Sequence, residues 1–193
     1  MVDKHFVDLN TYYQDSLLLA KKVIESKFYP NYLVALWRGG TFPGMSIQEF
    51  FKKIGLKVDH ISIRTNHYDD SALDKRQEKV LVIGLNYLID NANSEDKILI
   101  VDDVFDTGKT IREVIDQYTL KTRKNAANIK IATVYYKPSR NETNIKPDYY
   151  IHETDQWIVF PHELIGLTNE EIEKGKGKKT LDLIAETEKL LKK

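Results

Sequence analysis

Cysteine is absent from the 193 residues, which excludes disulfides, thiolate nucleophiles and cysteine-ligated metals and suits a reducing compartment. Neither sign of charge prevails. Lysine and arginine number 29 and aspartate and glutamate 29, so no global field draws the chain to nucleic acid or to an anionic membrane, and any anion site must be local. No apolar run approaches the roughly 18 residues of a membrane span, and the opening MVDKHFVDLN lacks the apolar stretch of a signal peptide. The expectation is a cytoplasmic protein with neither nucleic acid nor membrane as partner. The 5 histidines show no metal spacing such as H-E-x-x-H, which argues against zinc. With 41% hydrophobic residues, the length suffices for one domain with a sizeable core, plus a tail.

The apolar positions Tyr12, Leu17, Leu18, Leu19, Val23 and Ile24 recur at three- and four-residue spacings, predicting an amphipathic helix over residues 11–27. YLVALW (32–37) reads as a buried strand ending in the tight loop Arg38-Gly39-Gly40, and Pro43 opens a helix over 44–54. Strands follow at 58–64, 79–83, 97–101, 130–136 and 148–151, with a short helical or turn segment at 85–91 and a helix at 110–119. This alternation predicts an α/β fold, a mostly parallel central sheet with helices on both faces. The polar, aperiodic stretch 65–78 reads as a mobile loop, long enough to act as a lid. The domain is expected to end at residue 166. Residues 167–193 then form a helical C-terminal extension with a flexible hinge at 175–179 and a terminal helix at 180–191.

The most informative run is ILIVDDVFDTGKT (98–110), a buried strand expected to end at two acids and lead into a helix. Ligands of open α/β sheets bind beyond the carboxyl ends of strands, where a loop entering a helix presents unpaired amides and the positive end of the dipole. Asp106, Thr107, Gly108, Lys109 and Thr110 can therefore wrap a phosphate. Gly108 permits close backbone approach, and the two threonine hydroxyls donate. Asp102 and Asp103 suit vicinal hydroxyls or a hydrated magnesium ion, so a ribose phosphate meets both demands. A Walker A loop would need glycine at position 103; a carboxylate there repels a triphosphate, which excludes an ATPase.

VDDVFDTGKT (101–110) resembles the phosphoribosyl pyrophosphate signature of type I phosphoribosyltransferases. Arg38-Gly39-Gly40 is similar to the pyrophosphate-binding loop of xanthine-guanine members. Lys146-Pro147-Asp148 resembles a segment whose lysine binds the purine oxo group, and Trp157-Ile158 with Pro161-His162-Glu163 resembles the hood of 6-oxopurine members. The hood would span about 146–166. His162 stands where the family has tryptophan, the 65–78 stretch lacks a clear Ser-Tyr pair, and the tail after Gly166 has no counterpart in short bacterial enzymes.

The resemblance implies purine salvage: N9 of hypoxanthine, guanine or xanthine attacks phosphoribosyl pyrophosphate, with magnesium as cofactor. In that reading Asp106 is the general base, Asp102 and Asp103 hold the ribose hydroxyls and metal, and Arg38, Gly39 and Gly40 take the pyrophosphate. Lys146 donates to the 6-oxo group, Trp157 stacks on the base, Ile158 reads its other edge through the main chain, and Glu163 binds a second magnesium, directly or through water. A homo-oligomer, dimer or tetramer, is also implied. Two rivals stand beside this: a non-catalytic regulatory protein of the same fold that senses phosphoribosyl pyrophosphate or a nucleotide, and an enzyme acting on a pyrimidine or other base.

Overall fold

A computed structural model describes residues 4–67, 80–122 and 128–191. The described residues fall into two compact units, one of residues 12–155 and one joining residues 1–11 to 156–193.

The larger unit is a six-stranded sheet in the order β4-β3-β2-β5-β6-β7. Its strands are β2 (Tyr32–Trp37), β3 (Asp59–His67), β4 (Val80–Ile83), β5 (Ile98–Phe105), β6 (Ile129–Tyr136) and β7 (Tyr149–Glu153). All neighbours are parallel except β4, which runs antiparallel to β3 at the edge. Four helices belong to it: α1 (Leu9–Glu25), α2 (Thr41–Lys53), α3 (Leu85–Asn91) and α4 (Lys109–Thr122). Side chains alternate across a strand, and β2 uses both sets. Val34 and Leu36 join a core with Leu85, Leu88, Ile111 and Val114 from α3 and α4. Ala35, of opposite parity, faces α2, where a Cβ on Gly44 would stand 2.7 Å from the Ala35 Cβ. The helices therefore flank the sheet on both sides, as the alternating pattern required.

Helix α2 starts earlier than the sequence pattern implied, at Thr41 with Gly40 as N-cap. Pro43 is tolerated there because first-turn amides need no helical acceptor. The larger correction concerns β5. It does not end at Val101: Asp102, Val104 and Phe105 continue the ladder against Thr133, Tyr135 and Tyr136 of β6, so both acids lie within the strand. Acidic residues are poor strand formers, which is why their pairing was invisible locally. Residues 65–67 of the expected lid belong to β3, and the remainder, 68–78, lies outside the described residues.

In the smaller unit β1 (Lys4–Phe6) pairs in parallel with β8 (Trp157–Val159), Lys4 opposite Trp157 and His5 opposite Ile158. Helix α5 (Asn169–Lys176) opens with a reciprocal capping box between Thr168 and Glu171. Helix α6 (Lys178–Leu191) follows after Gly177 alone, whose φ of 90° ends α5, so the expected flexible hinge at 175–179 is a single residue. The compact units divide after residue 155, and the β1–β8 ladder pairs residues 157–159 with the N-terminal strand. No helix among the described residues is long and apolar enough to cross a membrane.

Candidate active site

The chain leaves β2 toward β3 on one side of the sheet and leaves β5 toward β6 on the other, so the adjacent pair β2 and β5 marks a topological switch point. Open sheets bind ligands at the carboxyl ends of such strands because the diverging connections leave a crevice between them. The two glycine-bearing loops of the sequence lie there. Pairing of β2 with β5 stops at Ala35 and Val101, whereas β5 stays paired with β6 through Phe105. The gap admits the loop Arg38-Gly39-Gly40.

Packing in this gap leaves no room for side chains. A Cβ on Gly40 would stand 2.2 Å from the Val101 carbonyl oxygen, and one on Gly39 2.1–2.5 Å from the Asp103 carboxyl group. These glycines let the loop lie directly against the two acids. The Gly40 amide donates to the Asp102 carboxylate. Asp102 also accepts from the Asp103 amide at 3.0 Å, and Asp103 from the Val104 amide at 2.7 Å. Burial, and then the neighbouring Asp103 carboxylate, push the Asp102 carboxyl well above the usual carboxylate range. Two crowded carboxylates of this kind fit a divalent cation, which would offset their repulsion. No cluster of three or more His, Asp or Glu able to hold a metal occurs among the described residues. Magnesium takes one or two protein carboxylates and completes its shell with phosphate oxygens and water, so the Asp102–Asp103 pair is a donor set of the kind it uses.

Beyond Phe105 the chain turns into α4. Asp102, Asp106, Thr107, Gly108 and Thr110 line one cavity of about 260 Å³. Gly108 has φ 80°, and a Cβ on it would meet Thr143 Oγ1 at 2.6 Å and the Phe105 ring at 2.7 Å, so both backbone shape and close packing demand glycine. The segment after β6 braces this loop: the Glu142 amide donates to the Thr107 carbonyl at 3.0 Å. Lys109 points its ammonium to Glu142 at 2.8 Å and is not among the residues that line the cavity. Arg38 is exposed at the end of β2. A larger open concavity of about 780 Å³, lined by Asn31, Tyr32, Lys52, Lys57, Asp59 and Asp96, lies at the starts of the strands. It lacks the helix N-termini and acid pair that distinguish the crevice at the strand ends.

Asp106 has two cations beside it that sequence reading missed. Arg140 Nε lies 2.8 Å from Oδ1, an ion pair without the alignment of a hydrogen bond, and Lys137 Nζ lies 3.6 Å from Oδ2. Lys137 is buried, only 6% exposed, directly after β6, and its amide donates to the Phe105 carbonyl at 2.9 Å. A buried ammonium needs a counter-charge, which Asp106 supplies. The signal was in the sequence: Lys137-Pro138 ends the apolar run IATVYY at the carboxyl end of a strand adjacent to β5.

Lys146 is elsewhere. It is exposed, two residues before Asp148, whose carboxylate accepts from the Ile131 amide at 2.9 Å and from Lys130 at 2.6 Å. These contacts are at the start of β6, roughly 20 Å along the strand from Lys137. The Lys146-Pro147-Asp148 segment is thus a structural corner that seats β7 on β6, and Lys146 does not meet the cavity.

Trp157, Ile158 and Glu163 belong to the smaller unit. The Trp157 side chain is half exposed, with Lys4 Nζ 5.9 Å from its ring centre, and the Ile158 side chain is buried. Glu163 accepts from the Phe160 amide at 2.9 Å, closing a turn, and the His162 ring stacks on Phe160 at 5.8 Å.

Residues 18–164 match the phosphoribosyl transferase domain family. The chain is 31% identical over 133 residues to xanthine-guanine phosphoribosyltransferase of Roseobacter denitrificans and 30% identical over 133 residues to that of a Ruegeria species, covering 68% of this chain and 68% of the relative in each case. A purine phosphoribosyltransferase crystal structure from Pyrococcus horikoshii superposes with a TM-score of 0.66 at 28% identity, covering 86% of this chain and 99% of that one. The signature on β5, the glycine loop on β2 and these likenesses agree, and the chain belongs to the phosphoribosyl transferase domain family, in its purine phosphoribosyltransferase branch of pentosyl-transferring enzymes.

Proposed function

We propose that the protein transfers the ribose 5-phosphate of phosphoribosyl pyrophosphate to N9 of a 6-oxopurine, forming the nucleoside monophosphate and pyrophosphate. The observation that carries this reading is the meeting, at the strand ends, of the phosphate cradle, the acid pair and a buried lysine ion-paired to Asp106. The loop at 106–110 takes the 5′-phosphate through main-chain amides and threonine hydroxyls. Asp102 and Asp103 take the ribose hydroxyls and hold magnesium, which when bound offsets phosphate charge. Arg38 and the amides of Gly39 and Gly40 receive the departing pyrophosphate.

The N9–C1′ bond forms as the C1′–oxygen bond to pyrophosphate breaks, and the proton displaced from the purine imidazole passes to Asp106. Arg140 and Lys137 hold that carboxylate in position. Lys137, rather than Lys146, donates to the 6-oxo oxygen; it would face a 6-amino group without an acceptor, so the site selects an oxo base. The roles of Trp157 as stacking platform, of the Ile158 main chain as a reader of the base edge and of Glu163 as a second magnesium contact rest on the hood motif. A soluble cytoplasmic setting, where both substrates occur, suits this chemistry.

The test is an assay of hypoxanthine, guanine and xanthine with phosphoribosyl pyrophosphate and magnesium, following nucleotide formation. Nucleotide from at least one base is expected, with adenine inert. Tight binding of phosphoribosyl pyrophosphate without turnover of any base would refute the reading.

A further inference from the structure

We propose that the C-terminal helix α5, through Glu171 and Lys4, is a positioning device for Trp157 that sets the enzyme's affinity for the purine base. The inference rests on the reading that Trp157 stacks on that base. The matched family segment ends at residue 164, so α5 lies wholly beyond it.

Lys4 is held from three directions. Its ammonium lies 2.8 Å from each Glu171 carboxylate oxygen, donates to the Gly166 carbonyl at 3.2 Å and stands 5.9 Å from the centre of the Trp157 ring. A lone surface lysine would lose such a position to rotamer entropy, and a two-oxygen ion pair plus a carbonyl holds it. Glu171 is itself fixed, because its side chain also accepts from the Thr168 amide at 2.8 Å in the capping box. The Lys4 hydrogen bond, first among several contacts, holds the Glu171 carboxyl below the usual range, so it is charged at neutral pH.

Helix α5 is anchored at its other end as well. Gly175 lies against Phe6 so closely that a Cβ would stand 2.2 Å from the ring, and Lys176 donates to the Phe160 carbonyl just after β8. One helix thus ties the strand carrying Lys4 to the strand carrying Trp157. The ammonium over the indole is attracted by the ring's negative face and restrains it, leaving the rest of a half-exposed ring for a flat ligand.

The test uses the full chain with Trp37→Phe, which leaves Trp157 as the only one of the 2 tryptophans. In that background Lys4→Met and Glu171→Gln are expected to shift ligand-free Trp157 emission and to raise KM for the base about fivefold, with KM for phosphoribosyl pyrophosphate unchanged. Lys4→Arg, which keeps the cation, should restore both readouts. The proposal is overturned if emission and base KM stay at the parent values in both variants. It is equally overturned if the KM values of both substrates rise together with a lowered unfolding temperature and Lys4→Arg restores nothing, since that is a fold defect. If saturating base leaves Trp157 emission unchanged in the parent, the stacking reading itself fails and takes this inference with it; a response in the parent that the variants retain in full sinks the inference alone.

Discussion

Gly39→Ala tests the packing of the pyrophosphate loop on the acid pair. The added methyl would stand 2.1–2.5 Å from the three Asp103 carboxyl atoms, well inside van der Waals contact, so the carboxylate must withdraw. Asp103 is 8% exposed and accepts from the Val104 amide at 2.7 Å, so withdrawal breaks that bond. Overpacking of a close-packed site costs about 1–3 kcal/mol and the lost charge-assisted bond about 1.5–3 kcal/mol. Together they amount to about 2.5–6 kcal/mol, which lowers the unfolding temperature of a chain this size by roughly 10 °C. KM for phosphoribosyl pyrophosphate should rise as well, because the loop and Asp103 are the groups proposed to take it. Thermal unfolding of Gly39→Ala, Asp103→Ala and the double variant forms a cycle. If the clash is the cause, Gly39→Ala costs much less in the Asp103→Ala background, where the obstructing carboxylate is gone. Equal costs in the two backgrounds would refute the reasoning.

Three further outcomes follow from the same geometry. Lys137→Met should raise KM for the base and weaken its advantage over adenine, whereas Lys146→Met should leave both unchanged; steady-state kinetics with each base decides between the two lysines. Gly108→Ala should destabilise by about 2–5 kcal/mol, combining a left-handed backbone penalty with overpacking against Thr143 and Phe105, and chemical denaturation measures it. Burial, aided by Asp15, pushes the Tyr135 phenol up to about 12. The unfolded chain ionises this tyrosine near 10 while the folded chain keeps it protonated, so stability should fall as pH rises from about 10 toward 12. Ultraviolet titration against Tyr135→Phe would show the missing late-ionising phenol; a phenol titrating near 10 in the folded protein would contradict this.

Much of the fold was legible because its cues are local. YLVALW forms β2 with the expected limits, and 85–91, read as a short helix or a turn, is a helix. The turn into α4 was legible for the same reason: residues 106–110 and the start of the helix are contiguous in the chain. The paired acids were found but placed wrongly, because a strand that continues on one side only, against β6, has no local signature.

Composition and order along the chain were enough to identify the alternating sheet and the family signature at 101–110, since each depends on neighbours in sequence. Where the two lysines that precede proline lie was decided only by the tertiary structure. Lys137 and Lys146 each precede proline at the edge of an apolar stretch, so neither dipeptide by itself tells which lies near Asp106. The register of β6 on β5 brings the first to Asp106, while the Asp148 contacts hold the second at the far end of the strand. Parallel strands place residues by crossover and register, not by proximity in the chain, so that choice lay beyond any local pattern.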